Sequence, residues 1–288
     1  MSKIEIVTDS VASIPETLAE SLDIHSVPYY IHRGNKVLRD LVTVKHEAFY
    51  KWLPLEKELP KTACPGPGDY SALYEELAEQ GASDILSIHI SSKTSGAYQA
   101  ATAAKEVIAS RIPNLRIEVI DTMNASMCQG WVAIEAARAS LSGMSMDNIL
   151  EQVKSMIPRT HLIHTADTLR YLHLGGRIGQ AKRLLGSVLN IKPLIGLENG
   201  VIVPLGQARS RKKAYAKMVD MIVDKIGPNG KIKIAYAHAA AQQEAEKLKA
   251  MVEERIEVVE SFIFELSPAL GVHTGPGTAG FSFYQVSQ

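Results

Sequence analysis

The chain has 288 residues, and its 31 lysine and arginine residues are balanced by 31 aspartate and glutamate residues. Nucleic-acid-binding proteins normally carry an excess of basic residues, so a net charge of zero argues against that class. Hydrophobic residues make up 46% of the chain, enough for one large or two ordinary domain cores, and no apolar run is long enough to cross a membrane.

The first half of the chain alternates between strand and helix patterns. Short apolar runs bounded by turn residues predict strands at residues 3–7, 27–31, 84–90 and 115–120. Helical spacing or alanine-rich composition predicts helices at 69–80, 97–109, from after Thr122 to about Leu141, and at 144–157. This alternation is typical of right-handed βαβ units around a parallel sheet.

The second half has a different pattern, and Pro158 at the end of the last helix predicts a domain boundary. Strands are predicted at 160–165, 191–197, 201–205, 231–238, 257–265 and 280–286, and helices at 167–174, 210–226 and 242–253. Asn199-Gly200 between two apolar runs indicates a hairpin. We therefore predict an N-terminal parallel-sheet α/β domain over residues 1–158 and a C-terminal α+β domain with a mixed or antiparallel sheet over 159–288.

The amino terminus and the cysteines indicate where the protein works. Residues 1–7 read directly as a strand, without the apolar stretch of a signal peptide. Cys64 and Cys128 are far apart in sequence and form no metal-binding motif. The sequence therefore predicts a reduced cytoplasmic protein with two structural thiols.

A hydroxyl-rich loop, residues 91–96 (SSKTSG), follows one predicted strand and precedes a helix. Helix N-termini expose free backbone N–H groups, and ligands bind outside the carboxyl ends of parallel strands. Four hydroxyl groups exceed what one helix cap needs. The loop is thus a candidate anion site, with an ordinary helix cap as the alternative.

Two further loops carry candidate groups. Thr62 lies in a segment rich in proline and glycine, residues 61–68, for which a plain surface turn is the alternative. His273 precedes glycines that allow close backbone approach, and its imidazole is suited to bind an anion or act as a base. A structural histidine is the alternative there.

A basic cluster, residues 209–213 (RSRKK), opens a predicted helix. Cations in a first helical turn oppose the helix dipole, which favours an acidic or phosphorylated partner, although a solvated charged face is also common. The chain has no P-loop, no dinucleotide fingerprint at Gly175-Gly176, and no histidine or cysteine spacing typical of a metal site.

These segments together resemble the DegV family. Five motifs occur in the order seen in that family, namely Thr8-Asp9-Ser10, Lys61-Thr62 with Pro65, residues 91–96, Gly175-Gly176-Arg177-Ile178, and residues 273–277. The resemblance covers essentially the whole chain. It implies two α/β domains with a buried fatty acid. In Gram-positive bacteria, such proteins are the fatty-acid-binding subunits of a fatty acid kinase, whose catalytic subunit forms an acyl-phosphate for phospholipid synthesis.

The resemblance also implies roles for individual residues. The fatty-acid carboxylate is expected to bind Thr62, Ser95 and His273, with Ser92, Thr94 and Gly96 as further contacts of the same loop. Arg209 resembles a residue that serves phosphotransfer with the kinase. The family usually has leucine, threonine and serine where this chain has Thr94, Ala97 and Ala63. The implied ligand is a long-chain acid such as palmitate, stearate or oleate, without a metal or other cofactor.

Two other classes of function are alternatives to fatty-acid binding. A serine-dependent acyl hydrolase would take Ser95 as the nucleophile, His273 as the base and Asp9 as the orienting carboxylate, although a G-x-S-x-G motif is absent. A regulatory or nucleic-acid-binding protein is the third class, and the neutral charge argues against it. The sequence therefore favours a lipid-binding protein over an enzyme.

Overall fold

A computed structural model of the chain describes residues 3–185, 191–227 and 229–286. The strands are β1 (Ile4–Asp9), β2 (Ile24–Val27), β3 (Tyr30–Arg33), β4 (Lys36–Arg39), β5 (Lys61–Ala63), β6 (Asp84–His89), β7 (Arg116–Asp121), β8 (Thr160–Thr165), β9 (Lys192–Glu198), β10 (Val201–Ala208), β11 (Lys231–His238), β12 (Glu257–Glu265) and β13 (Ala279–Gln285). The α-helices are α1 (Glu16–Ser21), α2 (His46–Trp52), α3 (Pro67–Glu79), α4 (Ala97–Arg111), α5 (Met127–Leu141), α6 (Met146–Met156), α7 (Arg170–Leu174), α8 (Arg211–Ile226), α9 (Gln242–Glu253) and α10 (Pro268–Thr274). Across these ranges, no helix has the length and apolar composition needed to span a membrane.

A four-stranded parallel sheet with the order β2-β1-β6-β7 forms the first layer, as the alternating pattern predicts. Its strands are short apolar runs because both faces of the sheet are covered by helices. One face packs on α3 and α4 through buried residues such as Tyr70, Tyr74 and Ala101. The loops that leave the carboxyl ends of β1, β6 and β7 therefore meet at one edge.

A six-stranded mixed sheet with the order β10-β9-β8-β13-β11-β12 forms the second layer. Among the described residues of this sheet, β11 and β12 pair in parallel and the other neighbouring strands pair antiparallel, which confirms the predicted mixed sheet. Asn199 and Gly200 turn the β9–β10 hairpin with φ angles of 50° and 79°. Positive φ at both central residues is the geometry that Asn-Gly favours, so the predicted hairpin is confirmed.

Helix α5 connects the two sheets through a shared core. Trp131 is fully buried, donates from Nε1 to the carbonyl oxygen of Ser282 at 3.1 Å, and contacts the rings of Phe262 and Tyr284. The first residue of β8, Thr160, follows the predicted boundary at Pro158. The division into two domains at this point remains a prediction, because the buried cluster around Trp131 draws residues from both halves.

Some elements differ from the sequence-based expectation. The single strand predicted at 27–31 is wrong, since Pro28 lacks an N–H group and separates β2 from β3, which belong to different sheets. The segment 61–68 is partly a strand, because β5 joins β3 and β4 in a small antiparallel sheet. His273 lies in a helix and not in a loop. Ser267 caps that helix, α10, and Pro268 occupies its first position. Helices α1 and α2 were not predicted.

Candidate functional site

A cavity of about 90 Å³ lies between the carboxyl edge of the parallel sheet and the face of the mixed sheet. Apolar side chains line most of it, namely Val11, Ile90, Ala125, Leu162, Leu172, Ile195, Leu197, Ile202, Leu266, Ala269 and Leu270. Polar side chains also reach it, namely Tyr29, Thr62, Thr94, Ser95, Ser126, His164, Arg177, His273 and Thr274. The cavity thus combines a largely apolar wall with a set of hydrogen-bonding groups.

The hydroxyl-rich loop between β6 and α4 supplies Ser95 to this cavity. Ser91 and Thr94 use their hydroxyls to hold the loop, since Ser91 donates to the carbonyl of Gly200 at 2.9 Å and Thr94 donates to the carbonyl of Ser91 at 3.0 Å. Ser95 Oγ instead pairs with the hydroxyl of Tyr29 at 2.6 Å. Ser95 thus lines the cavity and pairs its hydroxyl with another side chain instead of with the backbone of the loop.

Ser92 and Gly96 lie outside the cavity wall that the described residues form, unlike the other members of the predicted set. The backbone N–H of Ser92 donates to Asp121 at 3.2 Å. A Cβ at Gly96 would lie 3.3 Å from the sulfur of Cys64, so this glycine permits close packing of two loops. Their predicted ligand contacts therefore lack support from the geometry of the cavity.

Thr62 and His273 come together from opposite ends of the chain. Thr62 lies on β5, opposite Ile31 of β3, and His273 lies in the last turn of α10. Thr62 Oγ1 and His273 Nε2 are 2.8 Å apart. Both side chains line the same cavity as Ser95, so the structure brings the three predicted head-group residues to one site.

Tyr29 is a site residue that the sequence analysis missed. It is buried, and its hydroxyl reaches Ser95 because Pro28 ends β2 and turns the chain towards β3. Burial, together with the negative charge of Asp9, raises the pKa of the Tyr29 phenol well above its ordinary value. The phenol therefore stays protonated and able to donate a hydrogen bond.

Arg177 is a second residue that the sequence analysis assigned no site role. It is exposed, yet it lines the cavity close to His273. Burial first, and then the positive charge of Arg177, lower the pKa of His273 to about 4. The imidazole is thus neutral near pH 7, and Arg177 is the one lysine or arginine side chain among the described residues that line the cavity.

Gly175, in the Gly-Gly-Arg motif, packs against the site residue His273. It ends α7, and a Cβ at this position would overlap Nδ1 of His273 and lie 2.9 Å from the carbonyl oxygen of Tyr171. The imidazole therefore packs directly on the glycine backbone. The partner in this packing, His273, comes from α10, at the other end of the second half of the chain.

Buried Asp40 holds the helix that carries His273. Its carboxylate accepts a hydrogen bond from Ser10 at 2.6 Å and from the backbone N–H of Ala269, in the first turn of α10, at 3.1 Å. Ser10 Oγ also accepts from the backbone N–H of Tyr29 at 3.0 Å. Burial raises the pKa of Asp40 to about 6, although these hydrogen bonds act in the opposite direction. Through Ser10, the Asp40 carboxyl group thus connects the segment that carries Tyr29 with the helix that carries His273.

The triad of the hydrolase alternative is not assembled. Asp9 Oδ2 lies 3.0 Å from Nδ1 of His89, and its other oxygen accepts from Gln129 at 3.0 Å. The Nε2 atom of His89 lies 2.7 Å from Ser87 Oγ, and these three residues are fully buried. This Asp-His-Ser arrangement is closed to a substrate, while the partner of His273 is Thr62.

A larger cleft of about 640 Å³ has Ser10 in its wall. Six carboxylates line it, from Asp9, Glu16, Glu20, Asp23, Asp40 and Glu265, whereas Lys45 and His46 are the basic residues of its wall. An anionic ligand is disfavoured there by charge repulsion. Size alone therefore does not identify the anion site.

The basic cluster at the start of α8 divides into two parts. Arg211 is mostly buried, pairs with Asp167 at 3.0 Å and donates to the carbonyl oxygen of Gly277 in the loop after α10. Arg209 is exposed, and within the described ranges it makes no hydrogen bond or ion pair. Arg211 thus supports the fold around the site, while Arg209 is left for solvent or a partner.

A possible metal-ligand group lies away from the cavity. Glu5, Asp23 and His25 each offer a ligand atom, and these atoms lie within 4.8 Å of one another. Lys3 Nζ already lies 2.5 Å from Glu5 Oε1, and His25 Nε2 lies 2.9 Å from Glu5 Oε2. Both oxygens of the buried Glu5 carboxylate therefore already contact a side chain of this protein.

Comparison with known proteins places the chain in a family. The model of the DegV family matches residues 3–286. A DegV domain-containing protein of Halalkalibacterium halodurans is 33% identical over 286 residues, covering 99% of both chains. The DegV protein of Bacillus subtilis is 30% identical, covering 96% of this chain and 97% of its own length.

Solved structures share the fold over the same length. A Thermus thermophilus DegV family protein, described as binding a fatty acid, superposes with a TM-score of 0.92 at 29% identity and covers 99% of this chain and 100% of its own. DegV of Bacillus subtilis, described as a fatty acid binding protein, gives a TM-score of 0.88 at 29% identity, with 99% and 100% covered. The chain therefore belongs to the DegV family.

Proposed function

We propose that this protein binds one long-chain fatty acid, with the tail in the apolar cavity and the carboxylate at Thr62, Ser95 and His273. The observation that carries this proposal is the convergence of those three side chains on a cavity whose remaining wall is mostly apolar. The related proteins from Thermus thermophilus and Bacillus subtilis, described as fatty acid binding, support it.

The tail supplies the affinity in this account. Each buried methylene contributes about 0.8 kcal/mol, so roughly fifteen give an upper bound near 12 kcal/mol before the cost of ordering the chain. Sites for ligands of comparable size usually measure about 300–1,000 Å³. The cavity measures about 90 Å³, so the side chains that line it must move apart when the tail enters.

The carboxylate determines the orientation of the ligand. A buried charge requires hydrogen-bond partners, and the hydroxyls of Thr62 and Ser95 with an imidazole N–H provide them. Because the pKa of His273 is lowered to about 4, the imidazole acts as a neutral donor, and the exposed Arg177 contributes the positive charge. The exposed Arg177 at the cavity wall supports a carboxylate end close to solvent.

The second part of the proposal concerns a partner. We propose that the protein works in the cytoplasm, has no catalytic cofactor of its own, and presents the carboxylate to a fatty acid kinase that forms the acyl-phosphate. Arg209 supports this role because its side chain is exposed. It also lies close in sequence to Arg211, which holds the loop after α10. An arginine is well suited to meet the oxygens of a transferring phosphoryl group.

Head-group recognition is tested by titrating palmitate and hexadecanol, which share a tail but differ in the carboxylate. We expect palmitate to bind at least tenfold more tightly, since each charge-assisted hydrogen bond contributes on the order of 1.5–3 kcal/mol. Equal affinity would contradict the assigned head-group site. In parallel, a chromogenic acyl ester is expected to remain intact, and turnover abolished by Ser95→Ala would support the hydrolase instead.

The partner role is tested by measuring binding and phosphorylation on the same variant. Arg209→Ala is expected to keep the affinity for palmitate and to lower acyl-phosphate formation by the kinase of the same organism at least tenfold. Lys212→Ala, an exposed cation three residues further along, is the matched control. Normal phosphorylation of Arg209→Ala would contradict a transfer role, and an equal loss of binding would place Arg209 in the ligand site.

A further inference from the structure

Two polar side chains of the cavity wall, Ser126 and His164, are not among the residues assigned to the carboxylate above. Ser126 is 1% exposed and precedes α5, and His164 is 3% exposed and lies on β8. Both line the cavity. Neither Oγ of Ser126 nor Nε2 of His164 has a hydrogen-bond partner within the described part of the chain. Buried polar groups are normally satisfied, so this pair indicates a ligand group that pairs with them.

The side chain of Ser126 does not cap α5, which is the usual role of a serine just before a helix. A serine before a helix normally accepts a hydrogen bond from the first turn, but the side chain of Ser126 makes no such bond with α5. Its backbone has φ 54° and ψ −143°, a conformation that favours glycine. The position therefore keeps a hydroxyl at the cavity despite an unfavourable backbone.

His164 is complementary to a hydroxyl ligand. Burial lowers its pKa to about 4, so the imidazole is neutral near pH 7 and one of its nitrogens is an acceptor. A ligand hydroxyl both donates and accepts, and it is thus able to accept from Ser126 and donate to His164. An unsubstituted methylene chain satisfies neither group. The neighbouring wall residues Leu162, Ile195 and Leu197 offer no polar side chain as a substitute.

We propose that this site selects acyl chains that carry a hydroxyl part of the way along the tail, that is, hydroxy fatty acids, over unsubstituted ones. This proposal rests on the fatty-acid-binding function proposed above. It assigns Ser126 and His164 to the recognition of the tail and leaves Thr62, Ser95 and His273 to the carboxylate.

The test compares stearate with a series of monohydroxystearates in which the hydroxyl moves along the chain. We expect at least one isomer to bind wild-type protein about tenfold more tightly than stearate, since it satisfies two buried groups. Ser126→Ala and His164→Phe are each expected to remove most of that preference, measured in each variant as the ratio of the affinity for the preferred isomer to the affinity for stearate. Ser126→Gly, which suits the backbone better, replaces Ser126→Ala if that variant folds poorly.

Ser140→Ala is the matched control, because this serine lies on α5, the helix that follows Ser126, and donates to the carbonyl of Ile4 instead of lining the cavity. The proposal is overturned if every isomer binds no better than stearate, or if the preference survives in both variants. A bridging water between Ser126 and His164 in a stearate complex, with no isomer preferred, would likewise overturn it. Failure of stearate and all isomers to bind would instead contradict the proposed function itself.

Discussion

Replacing Thr62 with valine removes one hydroxyl from the head-group site while keeping the shape of the side chain. Thr62 lies on a short strand, where a β-branched residue is well tolerated, so the fold should persist. In the ligand-free protein the change removes the 2.8 Å contact between Thr62 Oγ1 and His273 Nε2. In the complex it removes one donor to the carboxylate.

The expected magnitude follows from these two contacts. A hydrogen bond to a charged group contributes about 1.5–3 kcal/mol, which corresponds to a loss of roughly ten- to hundredfold in affinity. Loss of the contact with His273 is expected to lower the free energy of unfolding by about 1 kcal/mol. Binding is not abolished, because the apolar tail still enters the cavity.

Isothermal titration with palmitate and competition with a fluorescent fatty acid measure the change. The matched control is Thr102→Val, which removes a 2.8 Å hydrogen bond from a helical threonine to the carbonyl of Tyr98, away from the cavity. The control should bind palmitate like the wild type. Unchanged palmitate affinity in Thr62→Val would refute the assignment of Thr62 to the carboxylate.

Two further substitutions test the framework of the site. Gly175→Ala places a methyl group on Nδ1 of His273, so we expect at least a tenfold loss of palmitate affinity, whereas Gly68→Ala, with no atom within 4 Å, should have none. Asp40 has a pKa raised from 3.8 to about 6, so the folded state binds its proton more tightly. Between about pH 4 and 6 the free energy of unfolding should therefore fall with rising pH by on the order of 3 kcal/mol in the wild type relative to Asp40→Asn. Urea unfolding across this pH range measures the difference, and parallel curves would contradict the burial of a titrating carboxyl.

Apart from β2, the strands of the two main sheets could be predicted because their apolar runs are bounded by turn residues. The hairpin at Asn199-Gly200 was predictable for a local reason, since few residue pairs accept two positive φ angles. By contrast, β3, β4 and β5 are only three or four residues long, too short for a periodic signal. Helix α10 has seven residues, and its signal was limited to Ser267-Pro268.

The proposed head-group residues were predicted from the family resemblance, whereas their arrangement in space could be seen only in the structure. Nothing local to Thr62 or His273 indicates that they meet, because they are 211 positions apart. Tyr29 and Arg177 contact the site through packing between elements, so their sequence neighbourhoods carried no signal for it. His164 looks like one of several scattered histidines until its strand is placed against the cavity.

The central claim is that one long-chain fatty acid occupies the cavity, and native mass spectrometry of protein purified from its own host tests it most directly. The account predicts a mass above that of the polypeptide by one long-chain fatty acid, which organic extraction releases in stoichiometric amount. A bare polypeptide that also takes up neither palmitate nor oleate on incubation would contradict the account.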